Sequence, residues 1–209
     1  MITIHATKKL HAKLPLDNQS YLAAKDSGTA PNTTTIHNNP LSGWHANLIT
    51  LQRRNSVLLV HDATHFPLFI KSLVKADFAN FDWHFADALM NTLLKLGANQ
   101  QQLDTAATLL APGQFDTECN RSVQGTLNRM KGDMENMLWF DNAKLEEVSS
   151  YKVGVWLADR PCNVKGVKDC IWPKDAMLAL LSPLEPHTPI AEHTENVAYM
   201  ADYRGELKR

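Results

Sequence analysis

The sequence predicts an α/β protein of the α+β type, with a mainly antiparallel sheet of four or five strands packed against helices. The first observation is a hairpin pattern over residues 47–60, because two strands joined by a short turn pair antiparallel. The second is helical spacing of apolar residues over 80–96 and 121–139. A chain of 209 residues is long enough for one core. We therefore expect one globular domain over 1–182, followed by a tail over 183–209.

The N-terminal region alternates weakly from Ile2 to Ala6, which predicts a first strand. Thr7 is then a plausible cap for a short helix containing Lys8 and Lys9. Residues 17–40 are polar and rich in Thr, Asn, Gly and Pro, so they are expected to form a loop insertion in the domain.

The hairpin strands are expected over 44–53 and 57–60, and a shorter strand over 66–70 begins near Pro67, which favours a sheet edge. The helix over 80–96 ends before a glycine suited to its C-terminus. The remaining predicted elements are a helix over 98–110, a strand over 115–119, a helix over 145–157 whose pattern also permits a strand, and a helix over 172–181.

Composition indicates an ordinary globular protein, with 44% apolar and 21% charged residues. The formal net charge of −1 argues against a broad nucleic-acid-binding surface. Three cysteines without close pairing predict reduced thiols; Cys119 could act as a nucleophile, but burial at a strand end is favoured. The sequence shows no signal-peptide pattern and no run long enough to span a membrane, so we expect a cytoplasmic protein.

The densest group of polar residues opens the helix predicted over 121–139. A helix start offers unpaired N–H groups and a partial positive charge, and the guanidinium of Arg121 adds a fork for phosphate or carboxylate. The alternative is a capped helix whose arginine pairs with an acid or with carbonyls. Close packing or a ligand near the backbone would explain the glycine inside this helix. The candidate ligand-binding residues are Asn120, Arg121, Ser122, Gly125 and Asn128.

His61, Asp62 and His65 lie between two predicted strands and invite a metal interpretation. Outside a helix their spacing does not place both rings on one side, and the sequence identifies no third ligand. We therefore predict neither a metal site nor a cofactor.

Three segments resemble a bacterial domain-of-unknown-function family of small proteins. They are Thr7-Lys8-Lys9-Leu10, Asn47-Leu48 before a hairpin, and Asn120-Arg121-Ser122-Val123-Gln124-Gly125-Thr126-Leu127-Asn128 at the start of a late helix. The resemblance covers roughly residues 1–165, judged from the order of these motifs. It implies an order of elements and no established activity.

Three functions remain open. The first is a non-enzymatic binding or regulatory domain whose partner is a small anion or a protein. It is favoured because no complete catalytic motif is present. The second is an enzyme acting on a phosphorylated or carboxylated small substrate, with His45, His61 or His65 as a base near Arg121. A groove shared by Arg121 and one of these histidines would favour the enzyme.

The third function is a nucleic-acid-linked toxin–antitoxin component that uses a basic patch. The residues of this patch would be Arg53, Arg54, Arg121, Arg129 and Lys131.

Overall fold

The computed structural model describes residues 1–23, 39–163 and 170–182. It shows an α+β domain with a five-stranded sheet in the order β4-β3-β2-β1-β5. The strands are β1 (Ile2–Ala6), β2 (Trp44–Leu51), β3 (Arg54–His61), β4 (Pro67–Ile70) and β5 (Gly113–Asp116). The helices are α1 (Lys8–His11), α2 (Phe81–Leu96), α3 (Gln100–Leu109), α4 (Arg121–Phe140), α5 (Ser150–Ala158) and α6 (Pro173–Leu181), with a 3-10 turn at Asp77–Asn80 before α2.

The sheet is mixed, and the α+β class predicted from the sequence is confirmed. Strands β2, β3 and β4 form the antiparallel meander that the hairpin pattern predicts. Strand β1, however, runs parallel to both β2 and β5, so the antiparallel expectation holds only for the meander. The reason is connectivity: parallel neighbours need long crossover connections, and a hairpin signal reports only on strands that are adjacent in the chain.

Each face of the sheet buries a separate apolar core. Alternation along β1 turns Ile2, Ile4 and Ala6 toward the core that contains α2, α3 and α6. The opposite face packs against α4 and α5 through a second core, which includes Val123 and Leu127. The predicted covering of the sheet by the two long helices is therefore correct, and the two helices lie on opposite faces.

Local capping explains several helix ends. Gly97 follows α2 with φ of 91°, a left-handed conformation that favours glycine. The side chain of Asn120 accepts a hydrogen bond from the Ser122 N–H at the start of α4. Thr7 precedes α1 as predicted, but its hydroxyl donates to the Asn47 side chain at 3.2 Å instead of capping the helix.

One sequence-based expectation needs correction, and two others fall wholly or partly outside the described residues. Strand β5 ends at Asp116, so Cys119 lies in the following loop and is exposed, and the prediction that it is buried at a strand end is wrong. Residues 24–38 of the predicted loop insertion, and the predicted tail over 183–209, lie outside the described residues. Among the helices that are described, none combines the length and hydrophobicity needed to cross a bilayer.

Candidate functional site

The candidate site lies on the α4 side of the sheet, where strand register brings together side chains distant in sequence. His5 of β1 is the register partner of both His45 in β2 and Asp116 in β5. Alternation along β1 directs His5 away from the core that holds Ile4, toward the opposite face. Asp62 follows β3 directly and reaches the same place, because β3 pairs antiparallel with β2.

His45 and Asp62 form a defined hydrogen-bonded pair at the start of α4. The backbone N–H of Asn120 donates to Nε2 of His45 at 2.7 Å, so the proton of the neutral ring lies on Nδ1. That Nδ1–H donates to Oδ1 of Asp62 at 2.6 Å. Both ring nitrogens of His45 are therefore occupied, and the ring fixes Asp62 relative to the first residues of α4.

His5 is oriented by a second carboxylate. Its Nδ1 lies 2.7 Å from Oδ1 of Asp116, and its Nε2 lies 3.6 Å from Oδ2 of Asp62. Because the carboxylate accepts from Nδ1–H, the Nε2 lone pair of a neutral His5 ring is available on the Asp62 side. The rings of His5 and His45 are 4.7 Å apart, centre to centre.

Gly43 permits the close approach of Asp62. Its carbonyl accepts the Asp62 N–H at 2.9 Å, and its φ is 90°. A Cβ atom at this position would lie 3.2 Å from Oδ2 of Asp62 and would also be strained by the left-handed backbone. Glycine at position 43 therefore leaves room for the Asp62 carboxylate, which lies between His5 and His45.

These side chains line a groove with a volume of about 470 Å³. Its lining residues are His5, His45, Asp62, Glu118, Cys119, Asn120 and Arg121. A smaller cavity of about 190 Å³ adjoins it, shares four of these residues and extends toward Lys8 and Leu127. Arg121 is exposed, and the ion pairs among residues 1–23, 39–163 and 170–182 do not include it.

The predicted ligand-binding residues do not all reach this groove. Asn120 and Arg121 line it, and Ser122 contributes its N–H to the cap described above. Gly125 and Asn128 are exposed on α4 outside the linings of both cavities. Within the described part of the chain, a Cβ at Gly125 would meet nothing within 4 Å, so no contact there requires glycine at this position.

Of the three histidines proposed as bases, only His45 lies in the groove. His61 projects to the opposite face, where it packs on Trp44 with ring centres 4.9 Å apart. Burial lowers the pKa of His61 to about 4, against a smaller opposing effect of Asp62. His65 is buried beneath α4 with Nδ1 2.9 Å from the Thr126 hydroxyl, and burial also lowers its pKa.

The sequence analysis missed His5, Asp116 and Glu118. Alternation in β1 was a usable signal for His5, because Ile2 and Ile4 mark the apolar side and leave His5 on the other. No comparable signal identified Asp116, because its approach to His5 depends on β5 pairing with β1 across 111 residues of sequence.

The basic patch predicted for nucleic acid is dispersed in the structure. Arg54 pairs with Glu146, and Arg129 donates to the sulfur of Cys162 at 2.7 Å. Arg53 lies in the β2–β3 turn, at the opposite end of β2 from the groove that Arg121 lines.

A protein-family model described as "Domain of unknown function (DUF6933)" matches residues 3–176 of the chain. No curated protein and no solved structure matches this chain.

Proposed function

The chain belongs to the DUF6933 family, a domain family of unknown function, and we propose that it is an enzyme acting on a small phosphorylated or carboxylated substrate. The observation that supports this is the groove that Arg121 shares with His5 and His45. A flat surface around Arg121 would instead have favoured a non-enzymatic binding domain, which is the preference drawn from the sequence alone.

In this proposal Arg121 binds the anionic group of the substrate. Its guanidinium lies at the start of α4, where a helix dipole favours an anion by roughly 0.3–1 kcal/mol at exposed sites. Two planar N–H donors match the oxygens of a phosphate or carboxylate. Because Arg121 is exposed, the role does not require it to stabilise the fold.

His5 supplies the reactive position beside the bound anion. Asp116 holds Nδ1 of its ring, so Nε2 faces Asp62 and the groove with a defined orientation. An imidazole nitrogen held in this way takes up a proton or a metal ion, and either can activate a water molecule or polarise a substrate. His45 has no free ring nitrogen, because both are hydrogen-bonded, one to Asn120 and the other to Asp62. Its role is to position Asp62.

Calorimetric titration with inorganic phosphate and with malonate tests the binding step. We expect Arg121→Ala to abolish binding of these anions while the free energy of unfolding changes by less than about 1 kcal/mol, as for exposed sites. Arg121→Lys should restore binding poorly, because the planar fork is lost. Arg53→Ala is the matched control, since Arg53 is an exposed arginine at the opposite end of β2.

A panel of phosphate monoesters and of esters that also carry a free carboxylate tests the catalytic step. Turnover that falls at least about tenfold in both Arg121→Ala and His5→Gln supports an enzyme, since general acid–base groups contribute on the order of 10²–10⁴ in rate. Arg121-dependent anion binding without turnover of any substrate would instead indicate a binding domain. Unchanged anion binding in Arg121→Ala would contradict the proposal itself.

A further inference from the structure

We propose that the groove holds a divalent transition-metal ion, bound by Nε2 of His5 and Oδ2 of Asp62. This goes beyond the expectation of no metal site, and it rests on the proposed function only for the identity of the substrate. The starting observation is that His5, Asp62 and His45 each place a ligand atom within 4.8 Å of the others.

The separation of the two ligand atoms is suitable for a metal. Nε2 of His5 and Oδ2 of Asp62 are 3.6 Å apart. Two ligands that are each about 2.0–2.1 Å from a tetrahedral zinc ion lie roughly 3.4 Å from one another. The observed separation therefore lies within a few tenths of an ångström of the separation that one ion requires.

Both ligands already have the outer partners that metal sites use. A metal-binding histidine typically donates its other N–H to a carboxylate, which fixes the tautomer and aims the lone pair. Asp116 does this for His5 at 2.7 Å. Asp62 accepts from Nδ1–H of His45 at 2.6 Å, which leaves Oδ2 directed toward His5.

His45 is a positioning residue in this site and not a ligand. Coordination through its Nε2 would require the N–H of Asn120 to leave, and coordination through Nδ1 would break the bond to Asp62. Its fixed tautomer instead connects the start of α4 to the metal-binding carboxylate. Glu118 is the third protein ligand of the proposal, because it lines the groove and its carboxylate lies within 4.8 Å of a ring nitrogen of His5. Water or the substrate occupies the remaining coordination position.

The charge of the groove also favours a cation. The carboxylates of Asp62 and Glu118 line the groove, and the carboxylate of Asp116 lies behind His5. Arg121 contributes a guanidinium to the lining. These carboxylates weaken the attraction of Arg121 for an anionic substrate, whereas a divalent ion offsets them and attracts phosphate or carboxylate oxygens. The metal therefore accounts for how acidic residues and an anion-binding arginine can share one groove.

The ligand set predicts which ions bind. An imidazole nitrogen together with carboxylate oxygens suits Zn²⁺, Co²⁺ or Mn²⁺, whereas Mg²⁺ and Ca²⁺ prefer oxygen ligands alone. We expect Zn²⁺ and Co²⁺ to bind as a single ion per chain, and Mg²⁺ and Ca²⁺ not to bind at this position. Equal binding of Mg²⁺ and Zn²⁺ would contradict the assigned ligands.

The test is titration of Zn²⁺ into the full-length, tag-free, metal-stripped protein by calorimetry, with Co²⁺ absorption as a second readout. His5→Ala and Asp62→Asn should each abolish the binding event. Asp116→Asn should weaken affinity by about 10–100-fold, as removal of outer partners does. Circular dichroism of each variant checks folding. If His5→Ala does not fold, the affinity of Asp116→Asn for Zn²⁺ tests the metal site instead.

A matched control is the pair formed by His84 and Asp77. Its atoms Nε2 and Oδ1 are also 3.6 Å apart, but it lies outside the groove. His84→Ala should leave stoichiometry and affinity unchanged. Loss of binding in His84→Ala with retention in His5→Ala would overturn the proposal, as would the absence of any stoichiometric Zn²⁺ or Co²⁺ binding.

Phosphate titrations with and without Co²⁺ separate this inference from the proposed function. Arg121-dependent phosphate binding in protein that binds no metal would refute the metal site alone. Metal binding that depends on His5 and Asp62, with no phosphate binding in either condition, would refute the proposed function and leave the metal site supported.

Discussion

Asp82, a partly buried carboxylate in the first turn of α2, gives a prediction in which the sign of a stability change depends on pH. Its Oδ1 accepts the N–H of Gly113 at 3.2 Å. Burial raises the pKa of Asp82 from 3.8 to about 6, and the Gly113 hydrogen bond opposes this only in part. The folded protein thus binds the Asp82 proton more tightly than the unfolded chain does. Asp82 therefore destabilises the fold increasingly as pH rises from about 4 through about 6.

The magnitude follows from the two pKa values, which differ by about 2. At roughly 1.4 kcal/mol per pKa unit, the upper limit is about 3 kcal/mol above pH 6. Two effects reduce it: solvent screens a carboxylate that is not fully buried, and the helix start favours an anion by roughly 0.3–1 kcal/mol. We therefore expect Asp82→Asn, which keeps an acceptor for Gly113, to stabilise the protein by about 1–2 kcal/mol at pH 7.5 and hardly at all at pH 4.

Urea unfolding of wild type and Asp82→Asn at both pH values measures this difference. Asp175→Asn is the matched control, because Asp175 also lies in the first turn of a helix but is exposed. Because this change only removes an exposed anion from a helix start, Asp175→Asn should not stabilise the protein at either pH. The reasoning would be refuted if Asp82→Asn were no more stable than wild type at pH 7.5, or equally stabilised at both pH values.

Three further predictions concern the core, a buried histidine and the groove. Phe85→Ala and Leu127→Ala, on opposite faces of the sheet, should each lower the free energy of unfolding by about 2–5 kcal/mol in denaturant titrations; less than about 0.5 kcal/mol would remove that residue from the core. Burial lowers the pKa of His61 from 6.5 to about 4, so its contribution to stability is complete above pH 6.5 and is lost progressively as pH falls through about 4. Thermal melts of His61→Gln should show a smaller acid-induced loss than wild type, by roughly 3.5 kcal/mol at most. Gly43→Ala should weaken Zn²⁺ binding in calorimetry because it crowds Asp62, and unchanged affinity would show that Asp62 tolerates displacement.

The sequence alone determined the elements whose causes are local. Helices α2 and α4 were predictable because apolar residues recur every three or four positions along them. The β2–β3 hairpin was predictable because its two strands are adjacent in the chain. The same local logic placed Arg121 at a helix start, since an Asn cap and the following amphipathic stripe are read from neighbouring residues.

Tertiary structure decided which polar side chains meet at that helix start. His5, Asp62 and Asp116 converge because β1 lies between β2 and β5 in a parallel arrangement, and neither parallel pairing leaves a local signal. The choice among His45, His61 and His65 was likewise decided by the two faces of the sheet and by α4. Alternation tells which side of a strand a residue occupies, but the neighbouring strand and the helix above it depend on packing between distant segments. The groove, its charge and its metal-binding geometry are properties of that packing.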